Sequence, residues 1–293
     1  MSSRLTQIVP ILFVWIWSTG FINAKYALPY IEPFYFLFIR MVLAALAFLI
    51  LIYVLKKRWP TRNQALMQMI IGVLLHSVYL GGVFYAVHLG MPAGISSIFV
   101  GLHPALTALL GFIFLSQKLR LLQSIGLAFG FIGISMVVIG SNNIDGSALS
   151  TLGLIACVLS LLGMSTSGIL QKLYAQNVPL VSGTFYQYLG GSLALIPISL
   201  LLENHEVIMT FELVAAMVWS VLALSVGAIL LLMFMIREGE VAKVASYFYL
   251  VPPVTVIQTY FLFDETLGLV AITGCILAVL GVYLVAKQLG KTN

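Results

Sequence analysis

Apolar residues along this chain come in long blocks, separated by short polar segments that hold most of the charge. Ten nearly continuous apolar runs occupy residues 5–28, 34–55, 65–89, 93–115, 121–140, 149–173, 182–202, 213–236, 241–263 and 267–287. Each has about the 20 residues that an α-helix needs to cross a bilayer. Lipid offers no hydrogen-bond partners, so backbone inside it must bond to itself, and runs of this length are expected as helices. A transmembrane barrel would instead show short segments of alternating polarity. The pattern predicts an all-α integral membrane protein of ten transmembrane helices.

The pattern is also written twice. Shifting by 148 positions carries Pro104 onto Pro252, Thr107 onto Thr255, Gly126 onto Gly274 and Gly133 onto Gly281, and upstream Gly20 onto Gly168 and Tyr26 onto Tyr174. One register held without a gap over most of a half-chain indicates an internal duplication. The expected units are residues 1–140 and 149–287, five helices each.

Composition strengthens this picture. The chain is 61% hydrophobic and 8% charged, with a mean hydropathy of +1.11, against about 25% charged residues in ordinary globular domains. The net charge of +5 does not point to nucleic acid, because the cations form no stripe. Twelve of the fourteen fall on one side of the expected membrane, among them Arg4, Lys56, Arg62, Lys118, Lys172 and Lys287. Seven of the nine acids fall on the other: Glu32, Asp145, Glu203, Glu206, Glu212, Asp264 and Glu265. By the positive-inside rule both termini are expected in the cytoplasm of a multi-pass cell (inner) membrane protein. The first run lacks a small-x-small cleavage site and reads as a retained helix. Cys157 and Cys275 have neither disulfide nor metal spacing. Five helices per copy is an odd number, so the second copy must enter the membrane from the opposite face. Inverted repeats of this kind recur in secondary transporters, with the substrate site near the midplane between the halves.

The segment G-M-P-A-G-I-S-S-I-F-V-G-L-H-P-A-L-T-A-L-L, the later R-E-G-E-V-A-K-V-A-S-Y-F-Y-L-V-P-P-V-T-V-I-Q-T-Y-F-L-F-D-E-T-L and the opening W-I-W-S-T-G-F-I-N-A-K-Y-A-L-P-Y-I-E-P-F-Y-F-L-F-I-R resemble the EamA family of the drug/metabolite transporter superfamily. The likeness covers nearly the whole chain. It implies a ten-helix inner-membrane carrier, with amino acids and related metabolites as the cargo class and export as the direction. The family pattern has an acid after helix 4 as well as after helix 9; here Glu265 keeps the second, and Gln117 stands in place of the first.

Ionisable and polar groups inside spans are costly and mark function by default. His76, His88 and His103 fall within or at the ends of helices 3 and 4; His103 precedes Pro104 in the duplicated motif, and either faces a cavity or bonds a neighbouring helix. Trp17, with Ser18, and Tyr79, one turn after His76, lie too deep for interfacial anchors. Tyr247 and Tyr249, just before Pro252, correspond by symmetry to the region of Phe99 and His103. Trp17, Ser18, His76, Tyr79, His103, Tyr247 and Tyr249 are therefore the candidate substrate-binding set, and the interruptions at Pro104 and Pro252 are expected to border the binding hollow. Two charges remain inside the membrane. Lys25 ends helix 1 and has the length to snorkel to the interface. Arg40, two turns into helix 2, must face the bundle and find carbonyls, an acid or a substrate carboxylate; a structural or gating role is expected ahead of an anion contact. Gln187 and Gln258 read as helix–helix glue, and the small residues Gly126, Gly130 and Gly133 with Gly274, Ala278 and Gly281 as packing faces.

These features describe a secondary transporter that exports a small metabolite by alternating access, without metal or cofactor, as a monomer or a homodimer. No G-x-x-x-x-G-K-[ST] loop is present for ATP, and no H-E-x-x-H or paired carboxylates support an intramembrane enzyme. A facilitative channel and a non-transporting partner subunit remain the alternatives.

Overall fold

The computed structural model describes residues 3–115, 121–141, 150–175, 177–238 and 247–289. Among them the regular elements are helices, joined at one end by an antiparallel bridge between Ile31 and Val207. Helix α1 (Ser3–Ala27) is followed by α2 (Pro33–Val54), which opens with proline where the helix needs no N–H donor. A capping box between Thr61 and Gln64 starts α3 (Arg62–Gly72). It continues through a π-helical stretch, Val73–Leu80, into α4 (Gly81–His88). Next come α5 (Ala93–Gly101) and α6 (His103–Leu115), parted at Leu102, then α7 (Leu121–Ser141), α8 (Thr151–Tyr174) and α9 (Leu180–Leu202). Helix α10 (Phe211–Trp219) passes through a second π-helical stretch, Ser220–Gly227, into α11 (Ala228–Glu238). A 3-10 turn, Phe248–Leu250, leads to α12 (Val251–Phe263), and α13 (Leu269–Leu289) ends the bundle.

Seven helical spans are long and apolar enough to cross a bilayer, and shorter apolar helices at Leu121–Val137, Val251–Phe263 and Leu269–Leu284 accompany them among the described residues. The side chains are arranged as lipid demands. Ile50, Leu201, Phe211, Phe261 and Leu269 stand 63% to 83% exposed, while Ser18, Arg40, Gln68, His76 and Ser77 are at most 6% exposed. A water-soluble protein does not cover itself with such a surface. This is a multi-pass membrane protein.

Several polar groups turned inward find partners across helices. The Gln187 amide donates to Gln68 Oε1 at 2.6 Å and to Gln171 Oε1 at 3.0 Å, tying α9 to α3 and α8. Gln258 Nε2 donates to the Trp15 carbonyl at 3.4 Å. Both glutamines therefore join helices, as their sequence positions suggested. The α7–α13 seam is closer still. A Cβ placed on Gly133 would lie 2.6 Å from the Gly274 carbonyl, and one on Gly281 would lie 2.5 Å from the Gly126 carbonyl. Only glycine permits these backbones to touch, so the two small-residue faces pack on each other.

Two helix pairs related by the 148-residue shift, α7 with α13 and α2 with α9, meet antiparallel, and α5 also meets α12 antiparallel. In α7 and α13, Gly126 lies at Gly281 and Gly140 at Ala271. In α5 and α12, Gly94 lies at Thr259, and Gly101 lies against the Pro252 ring. In α2 and α9 both ends are tied. Ser182 Oγ donates to the Arg58 carbonyl at 2.7 Å at one end. At the other, Glu203 accepts from the Phe34 and Tyr35 N–H groups at 2.7 Å each, capping α2, while Glu32 accepts from the Asn204 and His205 N–H groups at 2.8 and 2.9 Å. A helix N-terminus carries unpaired donors and partial positive charge, so a carboxylate is the natural cap. Glu203→Ala should lower unfolding stability by about 1–3 kcal/mol, the usual worth of hydrogen bonds to a charged group, measured as a lower midpoint in detergent-solubilised protein.

Candidate functional site

The middle of α9 carries Gly190 and Gly191, and α3 ends in Gly72. A Cβ on Gly190 would strike the Met69 carbonyl, one on Gly72 the Gln187 carbonyl, and one on Gly191 would lie 2.8 Å from His76 Cβ. The two backbones therefore approach closely where α3 passes into the π-helical stretch. That approach lays the His76 ring on the Tyr188 ring, with centroids 4.4 Å apart and planes 16° from parallel. Ser77, next in the stretch, donates to the Gly191 carbonyl at 2.9 Å. The second π-helical stretch makes the matching contact on the other side. Ser225, 148 residues after Ser77, accepts from Arg40 Nε at 3.2 Å through its hydroxyl and from the Tyr188 hydroxyl at 3.1 Å through its carbonyl.

Beside these residues lies a cavity of about 70 Å3. Its wall is built from Trp17 and Phe21 of α1, Arg40 of α2, His76 and Tyr79 of the first π-helical stretch, Phe84 of α4, Tyr188 of α9 and Leu224 of the second stretch. Arg40 is 5% exposed. It lies within coulombic reach of Tyr79, Tyr188 and His76, and no acidic side chain pairs with it among the described residues. Both ring nitrogens of His76 are buried without a hydrogen-bond partner among the described residues. Segments of π-helix are rare and concentrate at functional positions; here both border the same hollow.

Of the candidate substrate-binding residues, Trp17, His76 and Tyr79 meet in this cavity, with Arg40. Ser18 does not line it; its hydroxyl returns to the Val14 carbonyl of its own helix. His103 lies outside the lining, its Nδ1 3.3 Å from the Val100 carbonyl. It still belongs to the neighbourhood through Phe248, whose ring is 5.8 Å from His103, 5.2 Å from Trp17 and 5.2 Å from Phe13. Tyr247 is half-buried against the main core, and the Tyr249 side chain lies outside the described residues, as does Gln117. Of the two interruptions expected at the binding hollow, Pro252 does not line this cavity. Gly101 packs on Pro252 instead, and the space beside them is about 10 Å3. The Pro104 side chain lies outside the described residues.

Lys25, at the end of α1, finds an acid. Its Nζ pairs with Glu265 at 2.7 Å and lies 4.4 Å from the centre of the Phe263 ring. Glu265 in turn accepts from the Ala93 and Gly94 N–H groups at 3.3 Å each, holding the start of α5. Lys25 and Glu265 thus join α1, α5 and the end of α12 outside the cavity. Farther out, a hollow of about 460 Å3 between α1 and α10 is lined by exposed Phe211, Trp219 and Tyr26, with Asn23 and Glu212.

Tyr188, Ser225, Leu224 and Phe248 were not among the sequence candidates. For the first three the signal was present in the repeat register. Tyr188 is the counterpart of Arg40, Leu224 of His76, and Ser225 of Ser77. Tyr188→Phe, which removes only the hydroxyl bond to Ser225, should cost about 1 kcal/mol of stability. Tyr188→Ala also removes the ring under His76 and should cost about 3–5 kcal/mol; chemical unfolding in detergent separates the two.

A family model described as the EamA-like transporter family matches residues 5–139 and again 151–287. The chain is 25% identical over 290 residues to the Bacillus subtilis transporter YvbV, covering 96% of this chain and 91% of that one. It is 24% identical over 292 residues to a Salmonella typhimurium protein named "Probable amino-acid metabolite efflux pump", covering 96% and 95%. The Escherichia coli K12 inner membrane transporter YedA is 26% identical over 275 residues, covering 90% and 87%. A solved crystal structure superposes with a TM-score of 0.66 at 16% identity, covering 98% of this chain and 99% of the other, which shows a shared fold.

Proposed function

This chain belongs to the EamA-like transporter family, and from that premise we propose that it is a secondary carrier exporting a small metabolite across the cytoplasmic membrane by alternating access. Ten spans form two inverted five-helix repeats, residues 1–140 and 149–287, with both termini in the cytoplasm. The antiparallel meetings of α2 with α9 and of α7 with α13 support this arrangement, because helices equivalent by the repeat register run in opposite directions. The cavity serves as the substrate chamber. The observation that carries the proposal is its lining: both repeats supply it at equivalent positions, Arg40 with Tyr188 and His76 with Leu224. A site on a pseudo-two-fold axis between inverted repeats is where a rocking carrier holds its cargo.

Trp17, His76 and Tyr79 contact the substrate in this proposal. The cluster of Phe13, Trp17, Phe248 and His103 closes the chamber toward the α1 N-terminus, with Tyr247 and Tyr249 behind it. Lys25 and Glu265 hold the opposite end shut. The cargo class is amino acids or closely related metabolites, in line with the name of the Salmonella relative.

Purified protein in proteoliposomes, challenged with a metabolite panel, tests the proposal. Saturable uptake that is accelerated by substrate on the opposite side is expected of a carrier; flux rising linearly with concentration would make the protein a channel. Trp17→Ala should lower the initial rate about tenfold, equivalent to about 1.4 kcal/mol, with little change in unfolding midpoint. Loss of folded protein in that variant would move Trp17 from the pathway to the core.

A further inference from the structure

A chamber for transport does not need a particular charge, yet this one has a definite sign. Arg40 spends one guanidinium nitrogen on Ser225, and its terminal nitrogens have no hydrogen-bond acceptor among the described residues. The Tyr79 hydroxyl likewise has none there, and the two His76 ring nitrogens are buried and unpartnered among the same residues. Arg40, His76 and Tyr79 are each 5% exposed and share one cavity wall. A guanidinium only donates and holds its proton, and a tyrosine hydroxyl and an imidazole can each donate. No lining residue is acidic. A buried cation without an acid is expensive inside a membrane, and a ligand carboxylate, matched to the guanidinium fork, removes that cost.

The same wall limits the rest of the ligand. At about 10–15 Å3 per enclosed water, a cavity of about 70 Å3 accepts about five water-sized groups. Phe21, Leu75, Leu80, Val83 and Phe84 offer apolar surface for a short carbon chain. An α-ammonium group finds no carboxylate, only aromatic faces.

Building on the carrier proposal, we propose that the cavity binds short monocarboxylates through Arg40, with Tyr79 and His76 as further donors, and that recognition requires the carboxylate and not an α-ammonium group. Amino acids then enter as carboxylates that happen to carry an amine, and their deaminated analogues are equally acceptable.

The test uses the full chain in detergent or nanodiscs at neutral pH and constant ionic strength, with propionate, L-alanine and L-alaninamide as probes. Saturable binding of propionate and L-alanine within about threefold of each other, read by calorimetry, and none of L-alaninamide, is the expected result. Arg40→Gln should weaken propionate by about tenfold or more, and Tyr79→Phe by about threefold to tenfold. If Arg40→Gln fails to fold, the wild-type panel and Tyr79→Phe decide the matter. L-alaninamide binding as tightly as propionate would overturn the inference, as would a wild-type protein that binds neither acid. Saturable counterflow of L-alaninamide without either acid would remove the carboxylate anchor and leave the carrier standing. Absence of saturable flux for every compound tried would remove both.

Discussion

Hydrocarbon offers no partner to a polar atom, and most polar groups of the described spans are placed by that fact. Backbone is spent on helices, many serine and threonine hydroxyls bond back to their own helices, and others, with the glutamines, bond across to the next segment. What is left over stands out. Arg40, His76 and Tyr79 are buried, carry strong donors, and share a cavity in place of a full set of partners. Asn23 Nδ2 and Gln258 Oε1 are also buried without a partner among the described residues, but only here do several groups with unused hydrogen-bonding capacity share one cavity wall among those residues. In a membrane protein such capacity points to a ligand or an ion path.

Close backbone approach makes the arrangement possible. At Gly72, Gly190 and Gly191 the α3–α9 contact leaves no room for a Cβ, which sets the His76 ring on Tyr188. The π-helical stretches then decide the direction of the side chains. An extra residue per turn rotates the positions around it relative to a regular helix, so Ser77 reaches α9 while His76 and Tyr79 turn to the cavity. Across the bundle, Ser225 holds Arg40 Nε and the Tyr188 hydroxyl together. Cation, aromatic ring and imidazole are therefore positioned by backbone geometry on rigid spans, and not by loops.

Carboxylates are kept out of the cavity and used at one end of the bundle. Glu203 and Glu32 cap one another's neighbours across the α2–α9 pair, and Glu265 combines the start of α5 with Lys25. Each tie joins segments from the two halves of the chain. Charge-assisted hydrogen bonds at a partly solvated helix end hold well and can also be released, which suits a bundle proposed to open and close there.

How much of this was legible beforehand follows from which forces are local. Long apolar runs, the rarity of charge within them and the 148-residue register determine a helical membrane bundle of duplicated design, because the cost of exposing polar backbone to lipid depends only on composition along the chain. The same register already paired Arg40 with Tyr188 and Ser77 with Ser225. It could not say which interruption would open into a hollow. Pro252 was a reasonable marker, yet Gly101 lets its ring pack flush, and the space formed instead beside two π-helical stretches that leave no mark on hydropathy. Lys25 had the reach to leave the apolar core, and the carboxylate it meets comes from 240 residues away along the chain. Such outcomes depend on which surfaces meet across the bundle, and only the folded chain brings those surfaces together.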